Sequence, residues 1–145
     1  ETERGGEVTA HEPGQLVVYP ILPLGRYQLT PKRYVQILEQ AVIATLAHYG
    51  VKAATDPEYP GVWVGKNKIC AVGVRIKQRV SLHGIALNIE NDLSTFCLIT
   101  PCGIKNRSVC RLQDLVSACP DIQSVIPRFG DEFAKRLGLK YCGSP

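Results

Sequence analysis

A chain of 145 residues with 45% hydrophobic and 21% charged residues has ordinary globular composition and reads as one domain, 1–145. Its net charge of +4 is spread without a block of like sign, which argues against nucleic-acid binding. No apolar run approaches the ~18 residues of a membrane span, and no secretory leader is visible.

Six cysteines, at 70, 97, 102, 110, 119 and 142, form no CxxC pair and no Cys/His cluster with zinc spacing. No metal site is expected, and the thiols read as reduced, in an intracellular compartment. The chain has no methionine, even at position 1, so it is expected to begin inside a longer product or to have lost a leader.

In chain order, Arg4-Gly5-Gly6 ahead of Glu7-Val8-Thr9 reads as a glycine turn feeding a short strand. Paired glycines let backbone N–H groups approach a ligand, and an adjacent arginine holds an anionic or carbonyl group; the plainer alternative is a β-turn with a surface arginine. Pro13-Gly14 marks a second turn. The apolar run 16–22 predicts a strand buried on both faces, ended by Pro20 and Pro23 or held near an edge. Thr30-Pro31 opens a helix, with Val35, Leu38, Val42, Leu46 and Tyr49 as its stripe and Gly50 at its end. His48 reads as a surface histidine.

Val62-Trp63-Val64 and the run 69–74 predict two strands joined by a hairpin at Gly65-Lys66-Asn67. Lys68 sits at the mouth of the second. It is either an exposed hairpin lysine or an ammonium aimed at a cysteine, where it would stabilise a thiolate. Residues 80–88 predict a strand pair or one bent strand. Its small Gly84 and Ala86 either leave a groove for an apolar acyl chain or allow close backbone packing. Asn91-Asp92-Leu93-Ser94 turns into a short helix ending near Ile99. Pro127 is expected to begin a last helix carrying Phe129, Phe133 and Leu137.

The short helix leads to Thr100-Pro101-Cys102-Gly103. A cysteine between a rigid and a permissive residue is presented from a turn, as a nucleophile needs; the alternative is a buried structural thiol.

Four pieces stand in one order: Arg4-Gly5-Gly6-Glu7-Val8-Thr9-Ala10-His11, Lys68-Ile69-Cys70-Ala71-Val72-Gly73-Val74, His83-Gly84-Ile85-Ala86-Leu87-Asn88 and Pro101-Cys102-Gly103-Ile104. Together they resemble the lipoyl(octanoyl) transferase family, of lipoate-protein ligase B type. The resemblance implies an α+β fold, a mixed β-sheet with packed helices, shared with the catalytic domains of lipoate-protein ligases and biotin ligases. It begins at the Arg-Gly-Gly motif, so the expected fold lacks the family's N-terminal segment. The implied reaction moves an octanoyl or lipoyl group from acyl carrier protein to a lysine of lipoyl domains, in 2-oxoacid dehydrogenases and the glycine cleavage H protein. Cys102 matches the nucleophile and Lys68 the lysine that lowers its pKa. Arg4, Gly5, Gly6, Glu7, Val8, Thr9, Ala10 and His11 match segments lining the acyl site, as do Ala71, Val72 and Gly73 and also Gly84, Ile85 and Ala86.

A thioester donor already carries the driving force for amide formation, so neither ATP nor a metal is required. No cofactor, membrane or nucleic-acid partner is expected, and the expected state is a cytoplasmic monomer, with mitochondrion or plastid as alternative compartments. Backbone N–H groups at 71–73 or at 102–103 are the two sources for an oxyanion site. The sequence departs from the family at Ala10, where an aromatic is usual, at Glu12, where glycine is usual, and at Cys70, expected to be a buried structural thiol. Glu12 would be strained if the backbone there has positive φ. Two alternatives share the fold: a shortened or degenerate copy that binds acyl chain or carrier domain without turnover, and an ATP-dependent lipoate-protein ligase.

Overall fold

Thr30 and Pro31 start the longest helix for local reasons. The Thr30 hydroxyl accepts the Arg33 N–H at 3.2 Å, and Pro31 takes a position that has no hydrogen bond to lose. Helix α1 runs Pro31–Ala47, and the chain turns away through Gly50 at φ +76. Its buried stripe is Tyr34, Leu38, Ala41, Val42 and Leu46. Tyr34, not the expected Val35, leads it, because the Tyr34 hydroxyl finds the Pro20 carbonyl at 2.9 Å and the ring goes in with its polar tip satisfied. The computed structural model describes residues 11–98 and 107–143. The expected turn and strand within residues 1–10 and the Cys102 turn lie outside them.

Alternation and turn chemistry build the sheet. Strands β1 (Gln15–Val18), β2 (Ala54–Thr55), β3 (Val62–Val64), β4 (Asn67–Lys77) and β5 (Val80–Asn88) pair antiparallel in the order β1-β5-β4-β3-β2. Strand β6 (Ser108–Val109) pairs parallel with β4, so the sheet is mixed. Helix α2 (Ser94–Leu98) starts where the Asp92 carboxylate accepts the Ser94 N–H at 2.9 Å. Helix α3 (Ile122–Arg136) packs against α1. The core gathers Leu16, Val62, Ile69, Ile85 and Leu87 of the sheet with Leu38, Val42 and Leu46 of α1 and Val125 and Phe129 of α3.

Two expectations, for the run 16–22 and for Pro127, are corrected, and for residues 80–88 one of the two alternatives holds. The run 16–22 is not a strand buried on both faces: Leu16 is buried, while Val17, Tyr19 and Ile21 are exposed. Strand β1 is the outermost of the described sheet, and Pro20 cannot prolong its ladder. Residues 80–88 form one bent strand. It leaves β4 through Gln78 and Arg79, both at positive φ as a tight hairpin demands, and kinks at His83, φ +58. Pro127 does not open α3. Asp121 does, its carboxylate accepting the Ser124 N–H at 2.7 Å. Pro127 sits inside the helix on the exposed side together with Gln123, so the Gln123 carbonyl that it leaves unpaired is solvated.

Candidate active site

Lys68 is the second residue of β4 and is flanked by strands on both sides. Trp63 of β3 and Val109 of β6 are its register partners, and its carbonyl accepts the Cys110 N–H at 3.0 Å. The β3–β4 register slips at this point, with Val62 opposite Cys70 and Trp63 opposite Lys68, leaving Ile69 as an extra residue. Such a bulge re-aims side chains beside it. Lys68 is not an exposed hairpin lysine; it is buried, with 8% of its surface accessible. Its ammonium lies 4.8 Å from the centre of the Trp63 ring.

The same ring carries a second cation. The Arg107 guanidinium lies 4.7 Å from the Trp63 centroid and 4.8 Å from that of Tyr59, and pairs with the Asp56 carboxylate at 2.6 Å. Because β4 lies between β6 and β3, the Arg107 side chain spans β4 to reach them. That guanidinium holds the Asp56 carboxyl below the usual carboxylate range. The ion pair therefore persists at neutral pH and is lost only as pH falls through the depressed value.

The two small-residue segments meet in register: Ala71 opposite Ala86, Val72 opposite Ile85 and Gly73 opposite Gly84. Val72 and Ile85 join the core side, while Ala71, Gly73, Gly84 and Ala86 share the other face of the β4–β5 pair. Gly84 has a packing reason of its own. A Cβ there would run into the Val18 carbonyl oxygen and sit 2.9 Å from Pro20 Cδ. At this position the alternative of close backbone approach accounts for the glycine without an acyl chain.

His11 is exposed and heads a chain of polar contacts. Gln15 Oε1 can only accept, so His11 Nδ1 donates to it at 2.9 Å, and Nε2 is left to accept from the Tyr19 hydroxyl at 3.3 Å. Gln15 Nε2 donates to Asn88 Oδ1 at 2.9 Å, and Asn88 Nδ2 donates to the Cys110 carbonyl at 3.0 Å. The chain thus ties β1 and β5 to the end of β6. Glu12 is not among the described residues with positive φ; in this turn it is Gly14, φ +88, whose Cβ would meet the Asn91 backbone nitrogen at 2.7 Å. Arg4, Gly5, Gly6, Glu7, Val8, Thr9 and Ala10, like Cys102, lie outside the described residues.

Burial decides the chemistry of the described thiols. It pushes Cys70, fully buried beside Lys68 in sequence, far above the ordinary thiol range, in line with a structural role. Burial, reinforced by Asp114, pushes Cys110 up to about 11. Neither is activated toward nucleophilic attack. Among the described residues, no three His, Cys, Asp or Glu gather as a metal site would require.

Behind Lys68 lies a buried carboxyl. Glu39 of α1 accepts the Gly61 N–H at 3.0 Å, and Gly61 faces the lysine stem, where an added Cβ would lie 3.3 Å from Lys68 Cε. Burial raises the Glu39 pKa, partly offset by the Gly61 hydrogen bond. A raised value means that the folded state holds this proton more tightly than the unfolded chain, so the contribution of Glu39 to stability declines as pH rises from the ordinary carboxyl range through the raised one. Glu39→Gln, which can still accept the Gly61 bond, is expected to gain stability relative to the parent as pH climbs from 4 to 7 in urea melts. A pH-independent difference would mean that the carboxyl is effectively in water.

Sequence reading picked out Lys68 and the paired small segments. It missed Trp63, Arg107, Asp56, Glu39 and the Gln15–Asn88 pair. A glutamate beside the apolar stripe of α1 was the one local signal available for Glu39. Arg107 is brought to Trp63 and Asp56 only by the crossing of β6 onto β4, and Gln15 and Asn88 meet as register partners of β1 and β5.

The lipoyl protein ligase A/B catalytic domain matches residues 1–134. An octanoyltransferase of Cellvibrio japonicus (strain Ueda107) is 41% identical over 142 residues, covering 98% of this chain and 66% of that protein. An octanoyltransferase of Chromohalobacter salexigens is 45% identical over 139 residues, covering 96% and 63%. This chain thus spans roughly two thirds or less of the length of the curated relatives it matches. A bipartite lipoate protein ligase from Thermoplasma acidophilum superposes with a TM-score of 0.74 at 16% identity, over 98% of this chain and 58% of that one. Biotin protein ligase from Aquifex aeolicus gives 0.66 at 16% identity, over 86% and 53%. These likenesses bear out the expected α+β fold, and with a family match over nearly all of its residues this chain belongs to the lipoyl protein ligase A/B catalytic domain family.

Proposed function

We propose that this chain is an acyltransferase that moves an octanoyl or lipoyl group from acyl carrier protein to lipoyl domains, the first step of endogenous protein lipoylation. The acceptors are lysines of the lipoyl domains of 2-oxoacid dehydrogenases and of the glycine cleavage H protein. In this reading the Cys102 thiolate attacks the donor thioester carbonyl. The carrier's thiol departs with a proton, and the acyl group rests on Cys102 as a thioester. The acceptor amine then attacks, forming the amide and returning the Cys102 thiol. Lys68 is the cation that favours the thiolate. No cofactor is consumed, and the single domain works as a monomer in the cytoplasm. Arg4 to His11, Ala71 to Gly73 and Gly84 to Ala86 line the acyl site.

The observation that carries the reading is the buried Lys68 beside β6. Residue 102 stands only five positions before Arg107, which reaches the ring under the Lys68 ammonium. Octanoyltransferases at 41–45% identity supply the substrate class. The described cysteines 70, 110, 119 and 142 are all free thiols, which fits a reducing compartment. Among the described residues, no helix is long and apolar enough to cross a membrane.

The test is to incubate the chain with octanoyl-acyl carrier protein and take an intact mass. One octanoyl group, removed by hydroxylamine and passed to a lipoyl domain without ATP, is the expected result. Acylation of the lipoyl domain only from free octanoate with ATP would replace the reading with a ligase. Folded protein that binds the carrier but takes up no acyl group would make it a non-catalytic copy.

A further inference from the structure

A buried lysine on a four-carbon stem stabilises a thiolate only if its ammonium is held in one place, since free rotamers average the field away. The described residues supply a device that does this. The Trp63 ring lies under Lys68 Nζ at 4.8 Å, and Gly61 leaves room for the stem. Trp63 is itself locked. Its indole N–H donates to the Tyr59 carbonyl at 3.1 Å, and the Tyr59 and Trp63 rings meet edge-on at 6.5 Å. Asp56 closes the loop: one carboxylate oxygen accepts the Tyr59 and Glu58 N–H groups at 3.1 and 2.9 Å, and the other takes Arg107. Arg107 then stacks on Tyr59 and Trp63, so every member is held by two others.

We propose that Trp63 is a positioning residue for Lys68, held in place by the Asp56–Tyr59–Arg107 clamp. The inference deepens the proposed function and rests on Lys68 being the charge partner of Cys102. A cluster that served packing alone would not need a cation over the ring. Here two cations lie over one indole, with Asp56 balancing the charge of Arg107. The aromatic face favours the ammonium at a fixed point, and the clamp keeps that face still.

The experiment follows the rate of Cys102 alkylation against pH in the full chain, together with kcat and KM for octanoyl transfer. Trp63→Leu removes the ring, and Trp63→Phe keeps an aromatic face. Arg107→Lys keeps the charge but loses the planar stack, at a side chain that is 28% exposed. Lys68→Ala is the control for the reading beneath. Trp63→Leu is expected to raise the alkylation midpoint by about half a pH unit and to lower kcat several-fold with KM little changed, with Trp63→Phe recovering most of both. Arg107→Lys is expected to shift the midpoint in the same direction by less. If Lys68→Ala moves the midpoint while folded Trp63→Leu does not, the positioning role is refuted and the pairing of Lys68 with Cys102 stands. If Trp63→Leu does not fold, an unmoved midpoint in Arg107→Lys refutes it equally. A midpoint unmoved by Lys68→Ala removes the pairing itself, and the inference with it.

Discussion

Cys102→Ser is expected to abolish the octanoyl adduct and to cut acyl transfer by roughly a thousandfold or more. The cause is the acidity of the nucleophile. A thiol ordinarily ionises near 8.5, and one neighbouring cation brings much of it into the reactive form at neutral pH. A hydroxyl is a far weaker acid, and the same ammonium leaves it protonated. Cys70 and Cys110 are not placed to substitute, because burial pushes both away from the thiolate. The exchange is near-isosteric, so circular dichroism and melting temperature should match the parent. An adduct that persists in the serine variant, mapped to another residue, would overturn the assignment of Cys102 and with it the role given to Lys68.

Gly84→Ala is expected to destabilise the fold by about 2–3 kcal/mol, the order of a tight overpacking clash. For a domain of this size that corresponds to a fall in melting temperature of roughly 6–10 °C. The added methyl would collide with the Val18 carbonyl, which belongs to the ladder between β1 and β5 and cannot swing aside like a side chain. The outcome separates two explanations of the same glycine. If Gly84 exists to leave room for an acyl chain, alanine should leave stability intact and weaken acyl binding. If it exists so that two backbones can meet, stability falls whether or not acyl donor is present. Urea melts with and without donor decide between them.

Much of this protein was legible in the chain because the governing signals are local. Thr30-Pro31 and Gly50 bound α1 through capping chemistry that needs no partner. The turn at Gly65, φ +59, sets the β3–β4 hairpin within a few residues. The same locality explains one error. Pro127 looks like a helix start, yet Asp121 had already capped α3 six residues earlier, and a proline on the exposed side is tolerated.

The candidate site was legible only in part. The types and order of Lys68, Ala71 to Gly73, Gly84 to Ala86 and Cys102 are sequence properties, and they pointed to an acyl-transfer family. Whether Lys68 is wet or buried is not, since any hairpin lysine looks exposed until other chain covers it. Trp63 and Gly61 border its side chain, and β6, some forty residues later, pairs with β4 beside it and brings Arg107 across to Trp63 and Asp56. The sequence by itself determined the cap of α1, the β3–β4 hairpin and the reactive residue types, because backbone propensities act over a few residues. Only the tertiary structure decided where the ammonium sits and what holds it, because burial and cation–ring contacts depend on segments that the chain brings together from far apart.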